Sequence, residues 1–365
     1  LKGEEKGEGE SLFEDKTLNS KSFKPRGLAT AIGSMPHADP AEAGALALRY
    51  LPDIPVWPQL PNRSFLENMY AQYSEGLPGV VIEGEHIYID RAKDLSEGLE
   101  RLYAAYLAED NAQAAISPDY ASGLHWFLNQ KLDSAVAVKG QVTGPISFGL
   151  VVTDRDRRPT LYDETMADAI AKHLRLKAAW QERELRRLHP NTIMFIDEPY
   201  LASLGSAFVA LSNETVIRLI DEVLGGIRGL KGIHCCGNTD WSVLMATGID
   251  ILNFDAYTYG ESLGLYPAEL KAFLARGGVL AWGIVPSDEV ALGKESVAGL
   301  VSRLERLIGM LSSKGVSRDL LFEQSLISPS CGLASLSPKG AEKALELTAG
   351  VSRSYRANHE DHEEH

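Results

Sequence analysis

The cysteines of this chain, Cys235, Cys236 and Cys331, fall in two short segments, and those segments hold its most suggestive chemistry. In Gly232-Ile233-His234-Cys235-Cys236-Gly237-Asn238 an imidazole and a thiol stand two positions apart, and Ser328-Pro329-Ser330-Cys331-Gly332-Leu333 adds a distant thiol. Imidazole together with soft thiolates suits zinc. In an extended segment, residues two apart face the same side, so His234 and Cys236 can converge on one ion while Cys235 points away. Asp255 lies just past the next apolar run and offers an oxygen. The residues read as a tetrahedral set of His234, Cys236, Cys331 and Asp255, or as a set of three with a weakly held fourth. An odd number of cysteines, two of them adjacent, argues against a disulfide framework and for a reducing, cytoplasmic setting.

Such residues must be positioned by a fold that brings distant segments together. Strand-like apolar runs occur at 28–32, 54–60, 135–142, 192–196, 232–235, 249–254, 279–284 and 320–327. Between them, helical periodicity covers 95–107, 162–188, 213–224, 267–276, 297–312 and 338–351. Strands alternating with helices imply a parallel sheet with right-handed crossovers, and eight strands favour a closed (β/α)8 barrel, the TIM-barrel fold. Residues 79–90 read as a β-hairpin inserted after the second strand.

A barrel carries its site at the carboxyl ends of its strands, and the polar motifs fall there. Ser34 follows the first run, Thr143-Gly144-Pro145 the third, Asp197-Glu198-Pro199 the fourth, His234 to Gly237 the fifth, Asp255 the sixth and Cys331 the eighth. His37 sits close enough to this rim to serve as an acid or base. The glycine-rich 225–229 segment lies between a helix and a strand, which favours a helix end over a phosphate cradle.

The formal charge of −14 argues against a nucleic-acid partner, which needs basic surface to neutralise phosphates. No apolar stretch is long enough to span a membrane, and no secretion signal is legible. Acidic residues crowd 1–24, and 355–365 is rich in His and Glu, so both ends are expected to be mobile around a single domain over 25–354.

Several motifs together resemble the catalytic, C-terminal domain of the cobalamin-independent methionine synthases, in the superfamily shared with corrinoid-dependent thiol methyltransferases and uroporphyrinogen decarboxylase. They are Ile32-Gly33-Ser34-Met35-Pro36, Lys139-Gly140-Gln141-Val142-Thr143-Gly144-Pro145, Ile196-Asp197-Glu198-Pro199-Tyr200-Leu201, His234-x-Cys236 and Cys331-Gly332-Leu333. The likeness runs from about Thr30 to Leu336 and matches the short, single-barrel forms. It implies a zinc ion on His234, Cys236 and Cys331, with Asp255 where the family has a glutamate. It also implies an acceptor thiol, usually homocysteine, whose carboxylate meets Ile32, Gly33 and Ser34 and whose ammonium meets Asp197, with Glu198 beside it. The implied activity is methyl transfer to a small-molecule thiol, as in methionine biosynthesis. A noncatalytic zinc- or corrinoid-binding barrel and a tetrapyrrole decarboxylase are the rival readings.

Two departures bear on the substrates. The family's long enzymes carry a histidine in an Asp-Ile-His-Ser-Pro segment that assists the pterin leaving group, whereas this chain reads Trp282-Gly283-Ile284-Val285-Pro286-Ser287. Loss of that acid favours methylcobalamin or a corrinoid protein as methyl donor over methyltetrahydrofolate, because cobalt(I) leaves without a proton. Asn238 also resembles the corrinoid-dependent relatives. The family's glutamate ahead of the second helix falls near Arg63, which would reverse the local charge and suit an anionic thiol.

Overall fold

The structure, a computed structural model, describes residues 18–206 and 209–363. Among the described residues ten strands follow one another: β1 (Leu28–Ala29), β2 (Val80–Glu83), β3 (His86–Ile89), β4 (Val138–Thr143), β5 (Thr153–Asp154), β6 (Thr192–Asp197), β7 (Leu230–Cys235), β8 (Ile251–Phe254), β9 (Val279–Val285) and β10 (Ser325–Pro329). Seven of them form one parallel sheet in the order β1-β10-β9-β8-β7-β6-β4. Residues 54–59 close the gap between β4 and β1. Val56 bridges Lys139 and Gln59 bridges Ser34, both in parallel. The chain is a (β/α)8 barrel whose second strand is reduced to these two bridges. Pro55 and Pro58 explain the reduction, since neither has an N–H for a ladder.

The expected hairpin at 79–90 forms. β2 and β3 pair antiparallel with Val80 opposite Ile89, and β5 joins β3 in parallel as a small separate sheet. The eighth run is corrected: Leu320 begins no strand, because Arg318–Glu323 is a helix capped by Ser317, and β10 starts only at Ser325. The helix Pro40–Tyr50, capped by Asp39 with Pro at its start, was not anticipated. Its alanine-rich face gives little periodic contrast.

At the ends, residues 1–17 of the expected mobile leader lie outside the described residues. Phe23, placed within that leader, is buried against the bottom of the barrel. The last helix runs over Pro338–Glu363, through the region where a loose tail was expected from 355. Tyr355 is buried and stacks edge-on with Phe322, which gives the extension a physical anchor. Among the described residues no helix is long and apolar enough to cross a membrane.

The barrel interior changes character along its axis. Phe23, Ile193, Phe195, Ile251, Val279 and Leu326 belong to an apolar plug at the amino ends of the strands. One layer higher the same inward parity brings Gln141 and Thr143 on β4, Asp197 on β6, His234 on β7 and Asn253 on β8. The register aligns Thr143 with Asp197, Asp197 with His234, and His234 with Asn253. Neighbours of opposite parity, such as Ile196, Ile233, Leu252 and Trp282, pack outward against the helices in the larger core. Strand alternation thus delivers polar groups to the mouth without disturbing the core outside.

Candidate metal centre and acceptor pocket

His234, Cys236 and Cys331 form one cluster, with ligand-capable atoms all within 4.8 Å of one another. The strand parity works as expected. His234 and Cys236 turn to the mouth, while Cys235 is buried in the outer core, its Sγ contacting the Gly237 carbonyl at 3.5 Å. Burial pushes the Cys235 thiol up to about 12, so this sulfur is held as an inert thiol. The neighbouring Cys331 thiol pulls Cys236 well down, with His234 adding to the effect, and the same contact together with burial pushes Cys331 up. The two sulfurs are therefore close enough for each to act on the protonation of the other.

The orientation of His234 is set by Asn253, which sequence reasoning missed. Asn253 Nδ2 donates to the Ala281 carbonyl at 2.9 Å and to Ser328 Oγ at 2.8 Å. With its nitrogen committed, its Oδ1 must be the atom facing His234 Nδ1, so Nδ1 carries the proton and donates. Nε2 is left with its lone pair, buried and without a hydrogen-bond partner. Burial opposes charge on this ring, but Cys236, Asp197 and Asn253 outweigh it and raise its pKa.

Asp255 does not belong to the cluster. Its Oδ1 accepts from the Thr258 amide at 2.8 Å and caps the short helix Ala256–Tyr259. The three-member alternative of the sequence reading is therefore the one the geometry assembles.

The cluster opens into a cavity of about 300 Å³, whose walls include Ile32, Ser34, Glu67 and Asp197, the lower end of the usual size for small-molecule sites. Ile32 and Ser34 reach it as expected. Gly33 lies between them at φ 140°, where a Cβ would come within 2.5 Å of the Gln141 amide, so only glycine fits this turn. On the adjoining segment a Cβ at Gly332 would lie 2.0 Å from Ser34 Oγ, which explains why glycine follows Cys331.

Asp197 is buried with Oδ1 unpartnered. Burial raises its pKa, while His234 and Lys139 act in the opposite direction. Glu198 is placed differently from expectation, since it does not line the cavity. It accepts from the Ile146 and Ser147 amides at 2.8 Å each and from Ser147 Oγ at 2.6 Å, holding the start of the helix Pro145–Val151. Burial pushes its pKa up to about 7 against these bonds. His37 is buried and is not among the cavity's wall residues.

Glu67 is the second group that sequence reasoning missed. It is fully buried, takes Arg63 Nη1 and Ser122 Oγ on Oε1 at 2.7 Å each, and leaves Oε2 unpartnered. Arg63 is thus paired and does not face the cavity as a free cation, which corrects the expected charge reversal. In sequence, Arg63 and Glu67 look like any surface pair four apart on a helix.

No family model matches the chain. The methionine synthase of Methanocaldococcus jannaschii is 26% identical over 206 residues, covering 56% of this chain, and the chain spans 60% of that relative's length. Among solved structures, the B12-independent methionine synthase from Shewanella sp. W3-18-1 in complex with selenomethionine aligns with a TM-score of 0.57 at 15% identity, covering 91% of this chain and 98% of that one. A methyltransferase from Methanosarcina mazei aligns with a TM-score of 0.48 at 13% identity, covering 88% and 86%. Part of the chain is thus similar in sequence to a methionine synthase, and its fold is the barrel of the B12-independent enzyme.

Proposed function

We propose that the protein is a zinc-dependent S-methyltransferase that methylates a small amino-acid thiol of the homocysteine type. The observation that carries this reading is the unpartnered Nε2 of His234 beside Cys236 and Cys331 at the wall of a cavity. One nitrogen and two sulfurs fit zinc, and three protein ligands leave the open position of a catalytic rather than a structural site. When bound there, zinc would lower the pKa of an incoming thiol and hold it as the sulfur nucleophile.

The chain's own residues account for the rest of the acceptor. Asp197 Oδ1 and Glu67 Oε2 are buried carboxylate oxygens with no partner, and both residues border the cavity. A buried carboxylate oxygen without a partner is costly, so an ammonium bound in this cavity gains from the acidic wall. The 32–34 turn is left for the carboxylate of the same acceptor. In the reaction the acceptor sulfur forms the new S–C bond, the donor's bond to methyl breaks, and the donor keeps the electron pair.

The donor is read from the end of β9. Ile284 and Val285 are fully buried, Ser287 Oγ meets Ser330 Oγ at 3.1 Å, and Asp288 is committed to capping the helix Glu289–Leu292. No imidazole stands there to protonate a pterin nitrogen, which favours a methylated corrinoid, free or on a partner protein. Methyltetrahydrofolate is the rival, because the fold neighbour is described as B12-independent. The test is zinc analysis of the purified protein followed by separate assays of methylcobalamin and methyltetrahydrofolate with L-homocysteine. Methionine formed from methylcobalamin in a zinc-dependent way is the expected result. Turnover from the pterin alone would overturn the donor assignment, and full activity without metal would overturn the whole reading.

A further inference from the structure

Lys139 is the outlier of the barrel interior. It lies on β4 between the apolar plug and the polar mouth, fully buried. Its Nζ donates to the Ile32 carbonyl at 2.8 Å and stands 4.2 Å from the centre of the Phe195 ring. Among the described residues no carboxylate lies within ion-pair distance of it, and Asp197 is the charged group that acts on it through space. A buried cation with so little direct compensation is expensive, and a methionine of similar length would pack there at lower cost. The charge therefore needs a reason beyond folding.

Its contacts supply one. Ile32 opens the turn that ends at Ser34, and both residues wall the cavity. The Ser34 amide, on a residue that walls the cavity, has no partner among the backbone hydrogen bonds of the described residues. Burial drags Lys139 down to about 7 and Asp197 counters it, so the two groups share one electrostatic environment.

We propose that Lys139 is the positioning residue for the amino-acid end of the acceptor: its ammonium pins the Ile32 carbonyl, holding the 32–34 turn against the cavity, and balances the charge of Asp197 from below. This deepens the acceptor reading above and rests on it. Lys139 touches neither the sulfur end nor the metal cluster, so its effect divides by substrate part. An acceptor lacking the amino and carboxylate groups is indifferent to it.

The test uses the full chain loaded with Co²⁺, whose thiolate absorption reports sulfur binding directly. L-homocysteine and 1-propanethiol are titrated into wild type, Lys139→Met and Lys139→Gln, with cobalt content and thermal melts measured alongside. Lys139→Met is expected to keep its cobalt, to melt no lower than wild type, to bind L-homocysteine about 10- to 100-fold more weakly, as loss of a charged hydrogen bond predicts, and to bind 1-propanethiol unchanged. Lys139→Gln keeps a donor for Ile32 and is expected to recover part of the loss, and it decides the matter if the Met variant does not fold. Wild-type affinity for L-homocysteine in the variants, or equal weakening for both thiols, overturns the assignment. A wild-type protein that takes up cobalt but binds neither thiol overturns the acceptor reading, and this one with it.

Discussion

Replacing Asn253 with alanine tests whether the barrel, and not only the three proposed ligands, makes the proposed metal centre. Asn253 holds three polar groups at once: His234 Nδ1, the Ala281 carbonyl and Ser328 Oγ. Truncation strands the Ala281 carbonyl in the interior and removes the acceptor from Nδ1. At about 1 kcal/mol per hydrogen bond, plus the desolvation of the stranded groups, stability should fall by roughly 2–4 kcal/mol. The effect on the metal has a different cause. Without an acceptor at Nδ1 the imidazole is free to carry its proton on Nε2, which removes the lone pair a cation needs. Loss of such an orienting partner typically weakens metal binding by about 10- to 100-fold. Competition against a chromophoric chelator at neutral pH measures this, and urea unfolding measures the stability. Asn253→Asp is the control, since it keeps an oxygen toward Nδ1 while losing both donations. It should unfold at lower urea yet hold zinc within a few-fold of wild type. A folded Asn253→Ala protein with wild-type zinc affinity would refute the tautomer argument outright.

The two thiol environments should also separate by mutation. Cys235→Ala leaves zinc stoichiometry unchanged, whereas Cys236→Ser or Cys331→Ser abolishes tight binding. Metal analysis after dialysis reads this, and retention of zinc by Cys236→Ser would contradict the cluster. A third expectation concerns acid stability. His173 is buried on the helix Glu164–Leu185 with Nε2 bonded to the Tyr73 carbonyl at 2.8 Å, and burial lowers its pKa from 6.5 to about 3, with Lys177 adding to the shift. Between those values the unfolded chain binds a proton that the folded chain refuses, so this contribution to stability is complete above pH 6.5 and is lost as pH falls toward 3. By about pH 5 the loss is on the order of 2 kcal/mol. Urea unfolding of wild type and His173→Gln across this range should show a shallower acid dependence in the variant, and parallel curves would exclude His173 as the cause.

What the sequence revealed, and what it withheld, follows from the range of the interactions involved. The pairing of His234 with Cys236 and the exclusion of Cys235 depend only on the two-residue period of one strand, so they were legible locally. The return of Cys331 to the same mouth needed barrel closure, which the alternation of runs supplied. Asn253 and Glu67 were not legible, because nothing local marks them, and Lys139 stood in a quoted motif without any sign of its role. Asn253 matters through its register opposite His234, Glu67 through burial of a turn that reads as surface, and Lys139 through the layer of the interior it occupies. Asp255 and Glu198 illustrate a different limit. Both sit at strand ends as expected, yet their carboxylates are taken by nearby helix starts, a competing use that Asp and Glu serve wherever backbone amides lack partners.

The apolar plug beneath the site has a kinetic consequence. With Phe23 and its neighbours sealing the far end of the barrel, the ion, acceptor and donor of the proposed reaction would all have to pass through the open mouth. On that reading the ion would enter first. The thiol would then follow and stopper the passage behind it, leaving the donor to deliver its methyl from outside, so that the product would have to depart before another round could begin.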